Sequence, residues 1–490
     1  MSNLAIEAQL NQLFEEWAGV PAQLLLPLAP SGSKRLYYRL QAGQKVAIGA
    51  YHLDAKENRA FVAFSKHFHS LDLPVPEIYA ADLDQHIYLQ EDLGSTTLYS
   101  YLLQRGEYWP DYLTKIYKKV VEQLARLQIL GGKDLDYRYC TPREAFDRQS
   151  IQWDFNYFKY YFLKLAGVEF DEGLLEQDAN TLADYLLEAD GHYFMFRDFQ
   201  TRNIMIKNGE PLFIDYQGGR RGALQYDLAS LLFQAKANIP EDIREELLEH
   251  YLRYVSTQQD FKVASINISS KAFKDHYYGF VFIRCLQVLG AYGYRGLYER
   301  KEHFLQSIPF ALRNLRWLLD NDKVQPQLPE LKRALRQLIA SKQFEPFDKI
   351  KASSSLLTVS IASFSYKKGG IPPDGSGNGG GFVFDCRFLH NPGRYEPYKK
   401  QTGRDEAVIN FLQHHSKMPD YLQDVFRIVD EAVENYIERS FTHLQVSFGC
   451  TGGQHRSVYA ADQLTKHLTE KYGIKIKLQH IEQEKKNWKN

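Results

Sequence analysis

The chain has 490 residues, 44% of them hydrophobic and 14% aromatic, which is enough apolar material for two or three packed cores. Lys plus Arg and Asp plus Glu each number 60, so global charge calls for no polyanionic partner. Four scattered cysteines, Cys140, Cys285, Cys386 and Cys450, have no metal-ligand spacing and argue against a disulfide framework. With no signal-like N-terminus and no apolar run of membrane-spanning length, the expectation is a cytoplasmic protein away from membranes.

In chain order, Lys34–Leu40 and Lys45–Tyr51 read as two strands around Gln41-Ala42-Gly43-Gln44. Glu57–Ser70 has helical spacing, with Ala60, Phe61, Phe64 and Phe68 on one face, and Leu73-Pro74-Val75-Pro76 stops it. Strands Glu77–Ala81 and His86–Gln90 follow, then the turn Asp92-Leu93-Gly94. From Leu98 to about Trp317 the pattern is mostly helical, broken by short strands near Asp198 and Asp215. A small β-rich lobe (about 1–92) before a larger helical lobe (about 95–320) is the plan of an α+β bilobal, protein-kinase-like domain. Residues 321–354 are polar, proline-containing and expected to be a linker, with a helix over Leu331–Ser341. From 355 to 490 strands and helices alternate: Leu356–Phe364, Phe382–Phe388, Ala407–His414, Tyr421–Ile437, Leu444–Phe448, Val458–Lys471 and Ile474–Gln479. That order predicts a compact α/β domain. The glycine-rich run Gly369–Gly381 leads into a strand, not a helix, and reads as a flexible loop.

Chemistry concentrates in Phe196-Arg197-Asp198-Phe199-Gln200-Thr201-Arg202-Asn203 and Ile214-Asp215. Asp198 can accept a hydroxyl proton. Asn203, five residues on, and Asp215, at the end of an apolar strand, can hold Mg²⁺ against nucleotide phosphates. A second signature, Gly449-Cys450-Thr451-Gly452-Gly453-Gln454-His455-Arg456-Ser457, runs from an apolar strand into a helix. Backbone N–H groups, the helix N-terminus and Arg456 make an anion pocket there. Cys450 and Arg456 also fit the Cys-x₅-Arg spacing of thiol phosphatases.

The first set of residues resembles the aminoglycoside phosphotransferase-like kinases, and within them the bacterial cell-wall amino-sugar kinases. The resemblance spans roughly residues 10–320. It rests also on Ser33–Arg39, Gln90–Gly94, Tyr226–Leu232 and Arg284, Leu286, Gln287 and Gly290. It implies a phosphotransferase with an alcohol acceptor, ATP and Mg²⁺ as cofactors, and an amino sugar such as N-acetylmuramate or N-acetylglucosamine as substrate. Asp198 would be the base and Asn203 and Asp215 the metal ligands, with Asp227 a buried support. Glu91 and Leu93 would hold adenine at the hinge. The tyrosine-rich helices around Trp153–Tyr161 and Arg284–Arg295 suit sugar binding. Two positions depart from the kinase pattern. Val46-Ala47-Ile48-Gly49 lacks the usual lysine, leaving Lys34 or Arg35 to meet the phosphates, and Phe196 stands where a His usually precedes Arg-Asp. With the lysine and the His both missing, a degenerate, nucleotide-binding kinase fold in an RNA-binding regulatory adapter is the alternative.

Residues 355–486 resemble the C-terminal domain of RapZ, on Ser363–Lys367, Phe384–Pro392, Thr402-Gly403, Val446–Tyr459 and Ala461–Leu464. That resemblance implies sugar-phosphate sensing through Cys450, Thr451, Gly452, Gly453, His455 and Arg456, with Asp385, Arg387 and Asn391 nearby. It also implies RNA binding, for which Lys475, Lys477, Lys485 and Lys486 are candidates. No Gly-x-x-x-x-Gly-Lys-Ser/Thr string occurs, so this chain lacks the P-loop half of such adapters. Oligomeric state is not legible.

Overall fold

The computed structural model describes residues 3–28, 35–105, 108–258, 261, 270–347, 355–376, 380–438, 441–472 and 474–485. Two compact units emerge, one formed by Met1–Leu102 and Trp109–Asp348, the other by Leu103–Tyr108 and Lys349–Asn490.

The first unit begins with helix α1 (Asn3–Ala18), which buries Ile6, Leu10, Leu13 and Phe14. It covers one face of an antiparallel sheet of β1 (Leu24–Pro27), β2 (Leu36–Ala42), β3 (Lys45–Tyr51), β4 (Ile78–Asp82) and β5 (Ile87–Gln90), ordered β1-β2-β3-β5-β4. Helix α2 (Ala55–Ser70) covers the other face. Its N-cap Asp54 accepts the N–H groups of Lys56 and Glu57, and its Phe61 stacks on Tyr88 at 5.3 Å. Strand alternation explains the two faces: Tyr88 points to α2 and Leu89 to α1.

The helical part follows as α3 (Leu98–Gln104), α4 (Asp111–Ile129), α5 (Arg148–Phe158) and α6 (Glu172–Leu187). Two small hairpin-like pairs, β6 (Tyr193–Met195) with β9 (Arg220–Gly222) and β7 (Ile204–Lys207) with β8 (Glu210–Phe213), carry the chemical residues. Then come α7 (Leu224–Leu232), α8 (Glu241–Thr257), the long α9 (Ser270–Tyr292), α10 (Ile308–Asp320) and α11 (Pro329–Ala340).

Helix α11 differs from the expectation of a linker over 321–354. Leu331, Ala334, Leu335 and Leu338 are fully buried in the first unit's core, and Asp178 of α6 accepts the Leu331 N–H at 2.7 Å. Glu330 accepts from the Asp171 N–H and from Arg333, which holds its carboxyl at about 2. Its 3.6-residue apolar spacing buries a stripe, which a linker has no means of doing. Leu335→Ala should therefore cost about 2–5 kcal/mol in urea unfolding. A free linker would show no loss.

The second unit is a parallel sheet of β10 (Ser355–Ser365), β11 (Phe382–Asp385), β12 (His443–Cys450) and β13 (Ile474–His480), ordered β11-β12-β10-β13. Its helices are α12 (Glu406–His414), α13 (Met418–Glu438) and α14 (Arg456–Lys471). β11 stops at Asp385 instead of reaching Phe388, because the Asp385 carboxylate accepts the Arg387 N–H at 2.8 Å and turns the chain.

Candidate functional site

The loop after β6 is held from below. Asp227, fully buried near the start of α7, accepts the N–H groups of Phe196 and Arg197 at 2.7 and 2.9 Å and the Gln128 side-chain amide at 3.1 Å. Burial pushes its carboxyl up to about 7 against the pull of those bonds. Arg197 adopts φ +84°, a strained conformation for a side-chain-bearing residue. Its guanidinium is locked by Asp154 and by the Tyr226 hydroxyl at 2.8 Å. Phe196 makes edge-on contacts with Phe199 and Tyr216 at 5.1 and 6.0 Å, so packing replaces the hydrogen bonds of a histidine.

On this support Asp198 projects outward, its side chain 53% exposed, with Arg284 of α9 3.5 Å from Oδ1. Arg284 is itself fixed by the Ser230 hydroxyl at 3.0 Å and by Gln287. Asn203 donates to the Asp198 carbonyl at 2.9 Å and to Asp215 Oδ2 at 3.3 Å. Asp215 lies at φ +73°, and Gln217 donates to its Oδ1 at 2.9 Å. Burial raises the Asp215 carboxyl, and the charge of Asp198 adds to that rise. Two carboxylates and a carboxamide thus face one region.

From the sheet side, Arg35 enters buried beside β2 and pairs with Glu57 in the first turn of α2, Nη2 to Oε2 3.1 Å. Arg35 and Glu57 both act on the titration of Asp215. The absent lysine has a geometric reason. A Cβ at Gly49 would lie 2.8 Å from Leu40 Cδ1 and 2.9 Å from Leu10 Cδ2, so that position faces α1. Arg35, Tyr37 and Arg39 lie at alternate positions entering and along β2, and Tyr37 lies opposite Ala50, on the α2 face. Lys34 lies outside the described residues.

In the second unit, Cys450 ends β12 and Arg456 opens α14. Cys450 Sγ accepts the Gly453 N–H at 3.2 Å and lies 3.1 Å from the Ser457 hydroxyl. Gly453 has φ +66°, and a Cβ there would strike Glu482 Cγ at 2.6 Å. Buried Arg456 donates Nη1 to the carbonyls of Arg387 and Leu389, both at 2.8 Å. Its Nε has no partner among the described residues. Arg456 borders a cavity of about 770 Å³ lined also by Arg387, Asn391, Arg394, Lys417 and Thr451, with His390, His414 and His415, and no acid.

Residues 27–264 match the model of the phosphotransferase enzyme family, and residues 357–484 match that of the RapZ C-terminal domain. The chain joins a phosphotransferase-family domain to a RapZ C-terminal domain. A nucleotide-binding protein of Endomicrobium trichonymphae is 36% identical over 133 residues, 27% of this chain and 44% of that protein. One from Cereibacter sphaeroides is 37% identical over 136 residues, 28% of this chain and 43% of its own. The chain thus spans less than half the length of these curated relatives. Among solved structures, the choline kinase from Cryptosporidium parvum aligns at TM-score 0.46 and 13% identity, covering 68% of this chain and 100% of that one. The choline kinase LicA from Streptococcus pneumoniae aligns at 0.41 and 14%, covering 64% and 99%.

In the phosphotransferase domain, Asp198, Asn203, Asp215 and Arg35 come together. At the hinge, the Glu91 N–H already donates to the Glu77 carbonyl at 2.9 Å, its carboxylate accepts from Lys207 at 2.7 Å, and Leu93 is buried. Asp92 accepts Arg39 Nε at 2.6 Å, and its carbonyl accepts Lys207 at 3.2 Å. Arg39 was quoted only as the end of Ser33–Arg39 and Lys207 not at all, because two cations 168 positions apart carry no local signal. Glu57 was legible in principle, as the acid in the first turn of the helix after the third strand.

In the RapZ-type domain, Arg387, Asn391, Thr451 and Arg456 line the cavity, whereas Cys450, Gly452, Gly453, His455 and Asp385 do not. Asp385 acts through Arg387, to which it is bonded by 2.6–3.0 Å contacts. His455 Nε2 is 2.9 Å from the Tyr398 carbonyl, so that nitrogen carries a proton and faces away. Arg394, Lys417 and the three histidines were missed: they lie at the end of α12 and in the segments around 390–394 and 415–417, whose approach only the fold creates. Lys475 and Lys477 lie exposed at alternate positions of the edge strand β13, where charge also guards against edge pairing, and Lys486 is outside the described residues. Among the described residues, no helix is long and apolar enough to cross a membrane.

Proposed function

We propose that the phosphotransferase domain transfers the γ-phosphoryl group of ATP to a hydroxyl of an amino sugar such as N-acetylmuramate or N-acetylglucosamine, and that the RapZ-type domain binds a sugar phosphate. The observation that carries the first half is the convergence of Asp198, Asn203 and Asp215, beside the ion pair of buried Arg35 with Glu57. Asp198 is the exposed carboxylate, free to take the acceptor proton, and Arg284 beside it orients that carboxylate and the acceptor. Arg35 supplies the positive charge that a lysine gives elsewhere, and Glu57 fixes its position.

Asn203 and Asp215 fit Mg²⁺. Asp215 is raised by burial and by the neighbouring Asp198 charge, and a cation relieves both. Mg²⁺ binds through one or two protein oxygens plus substrate phosphates, the number that Asn203 and Asp215 offer. The ion would neutralise charge on the transferring group.

ATP hydrolysis and sugar phosphorylation across a panel of amino sugars and their N-acetyl forms test the reading. Turnover dependent on one sugar supports it. Absence of transfer to every sugar, with RNA retained in a shift assay at stated salt, favours a regulatory adapter with a degenerate kinase fold.

For the second half, the acid-free cavity lined by Arg387, Arg394, Lys417 and Arg456 supplies an anion site. Arg387→Ala should weaken glucosamine 6-phosphate binding by about 10-fold in calorimetry, one charge-assisted contact's worth. Glucosamine without phosphate should bind weakly to both forms. Equal affinity of variant and parent for the phosphate would remove Arg387 from the site.

A further inference from the structure

The phosphotransferase domain holds a second cavity, of about 890 Å³, apart from the residues assigned to phosphoryl transfer. It lies among α8, α9 and α10. Four rings line it, those of Phe233, Tyr277, Tyr278 and Trp317, with Trp317 5.7 Å from Phe233 and 5.9 Å from Tyr278. Two of its lining residues carry a buried donor without a hydrogen-bond partner among the described residues. One is the hydroxyl of Tyr277, which is 1% exposed; the other is Nε of Arg244. Arg244 stacks 4.4 Å over Phe233, and its Nη1 reaches Asn314 only at 3.4 Å. Each group influences the other's titration, so they sit near one another. A buried, unmet hydroxyl beside an incompletely bonded guanidinium is a costly arrangement unless an acceptor oxygen arrives.

The cavity lining has the opposite bias. Glu241 and Asp242 open α8, and Asp275 lies near the start of α9. Lys274 is engaged by Glu245 and Glu249, and Lys323 stacks on Tyr278 and Trp317 at 4.9 and 5.7 Å. The remaining acids therefore favour a cation. The aromatic walls favour an apolar body between the two charges.

We propose that this cavity binds a free α-amino acid with an aromatic side chain. The carboxylate meets Arg244 and Tyr277, the ring packs against Trp317 and Tyr278, and the ammonium faces Glu241 and Asp242. A simple anion would leave the acids unmatched, and a simple amine would leave the two donors unmet.

The test uses the full chain in calorimetric titrations with L-phenylalanine, phenethylamine and 3-phenylpropionate. Phenylalanine should bind saturably, and each analogue, lacking one charge, at least about 10-fold more weakly. Tyr277→Phe should weaken phenylalanine by about 5-fold and leave phenethylamine unchanged. Glu241→Gln, at the exposed end of α8, should weaken phenylalanine and leave 3-phenylpropionate unchanged, in a variant with little risk of misfolding. No saturable phenylalanine binding up to about 10 mM, equal binding of all three probes, or parent-like phenylalanine affinity in both variants would overturn the proposal.

Discussion

Asp198→Asn is expected to lower the turnover number for sugar phosphorylation by about 10³-fold, a barrier increase of about 4 kcal/mol. The amide keeps the size of the carboxylate, and the loop is held by Asp227 and Asp154 and not by the Asp198 side chain, so it should stand unchanged. What disappears is the basic oxygen that takes the acceptor's proton. Nucleotide affinity should stay within about 3-fold of the parent, because Asp198 is assigned to the acceptor side. The measurement is initial-rate kinetics alongside equilibrium binding of a non-hydrolysable ATP analogue. Parent-like turnover would remove Asp198 from the base role, and joint loss of turnover and nucleotide binding would place it on the metal instead.

Asp227→Ala should damage both stability and activity. It removes one carboxylate and strands two buried N–H groups, those of Phe196 and Arg197, while the Gln128 amide keeps only the Leu224 carbonyl at 3.1 Å. At about 1–3 kcal/mol for each unmet group, partly relieved by relaxation, a loss of about 3–5 kcal/mol is expected in denaturant unfolding. Arg197 holds φ +84° only while its N–H is anchored, so Asp198 should shift with it and turnover should fall by more than about 10²-fold. There is also a pH signature. The Asp227 carboxyl is pushed from an ordinary 3.8 to about 7, chiefly by burial. Between those values the unfolded chain has released this proton while the folded chain keeps it. Its stabilising contribution is therefore full below about pH 4, declines as pH rises to about 7, and is constant above. Unfolding free energies across that window should slope downward in the parent and lose that component in the alanine variant. An unchanged slope would assign it to another group.

Some of this molecule is written in local pattern. The apolar spacing of Ala60, Phe61, Phe64 and Phe68 defines α2 within two residues of its observed start. The strands at 45–51, 443–450 and 474–480 carry apolar residues at alternate positions, Val46 and Ile48, Leu444, Val446 and Phe448, and Ile474, Ile476 and Leu478, a signal that needs no tertiary context. Asp198 and Asn203 are five residues apart in one loop, and Asp215 follows the short β7–β8 pair, so a chemical string could be read directly. The same holds for the loop from Cys450 to Arg456.

Other features had no local signal. Helix α11 reads as part of a polar linker because its stripe is only four residues, and burying it requires α6, more than 140 positions earlier in the chain. The cation in place of the missing lysine could be narrowed to Lys34 or Arg35. The Arg35–Glu57 pair needed the sheet, which turns Gly49 toward α1. The basic cavity of the RapZ-type domain draws on segments around 387–394, 414–417 and 451–456. Residue identity and short spacing thus determined which groups can do chemistry here, because those depend on covalent neighbours. Which of them meet, and which are turned inward to support the rest, was decided by the tertiary structure, because strand pairing and helix packing alone bring distant positions within bonding range.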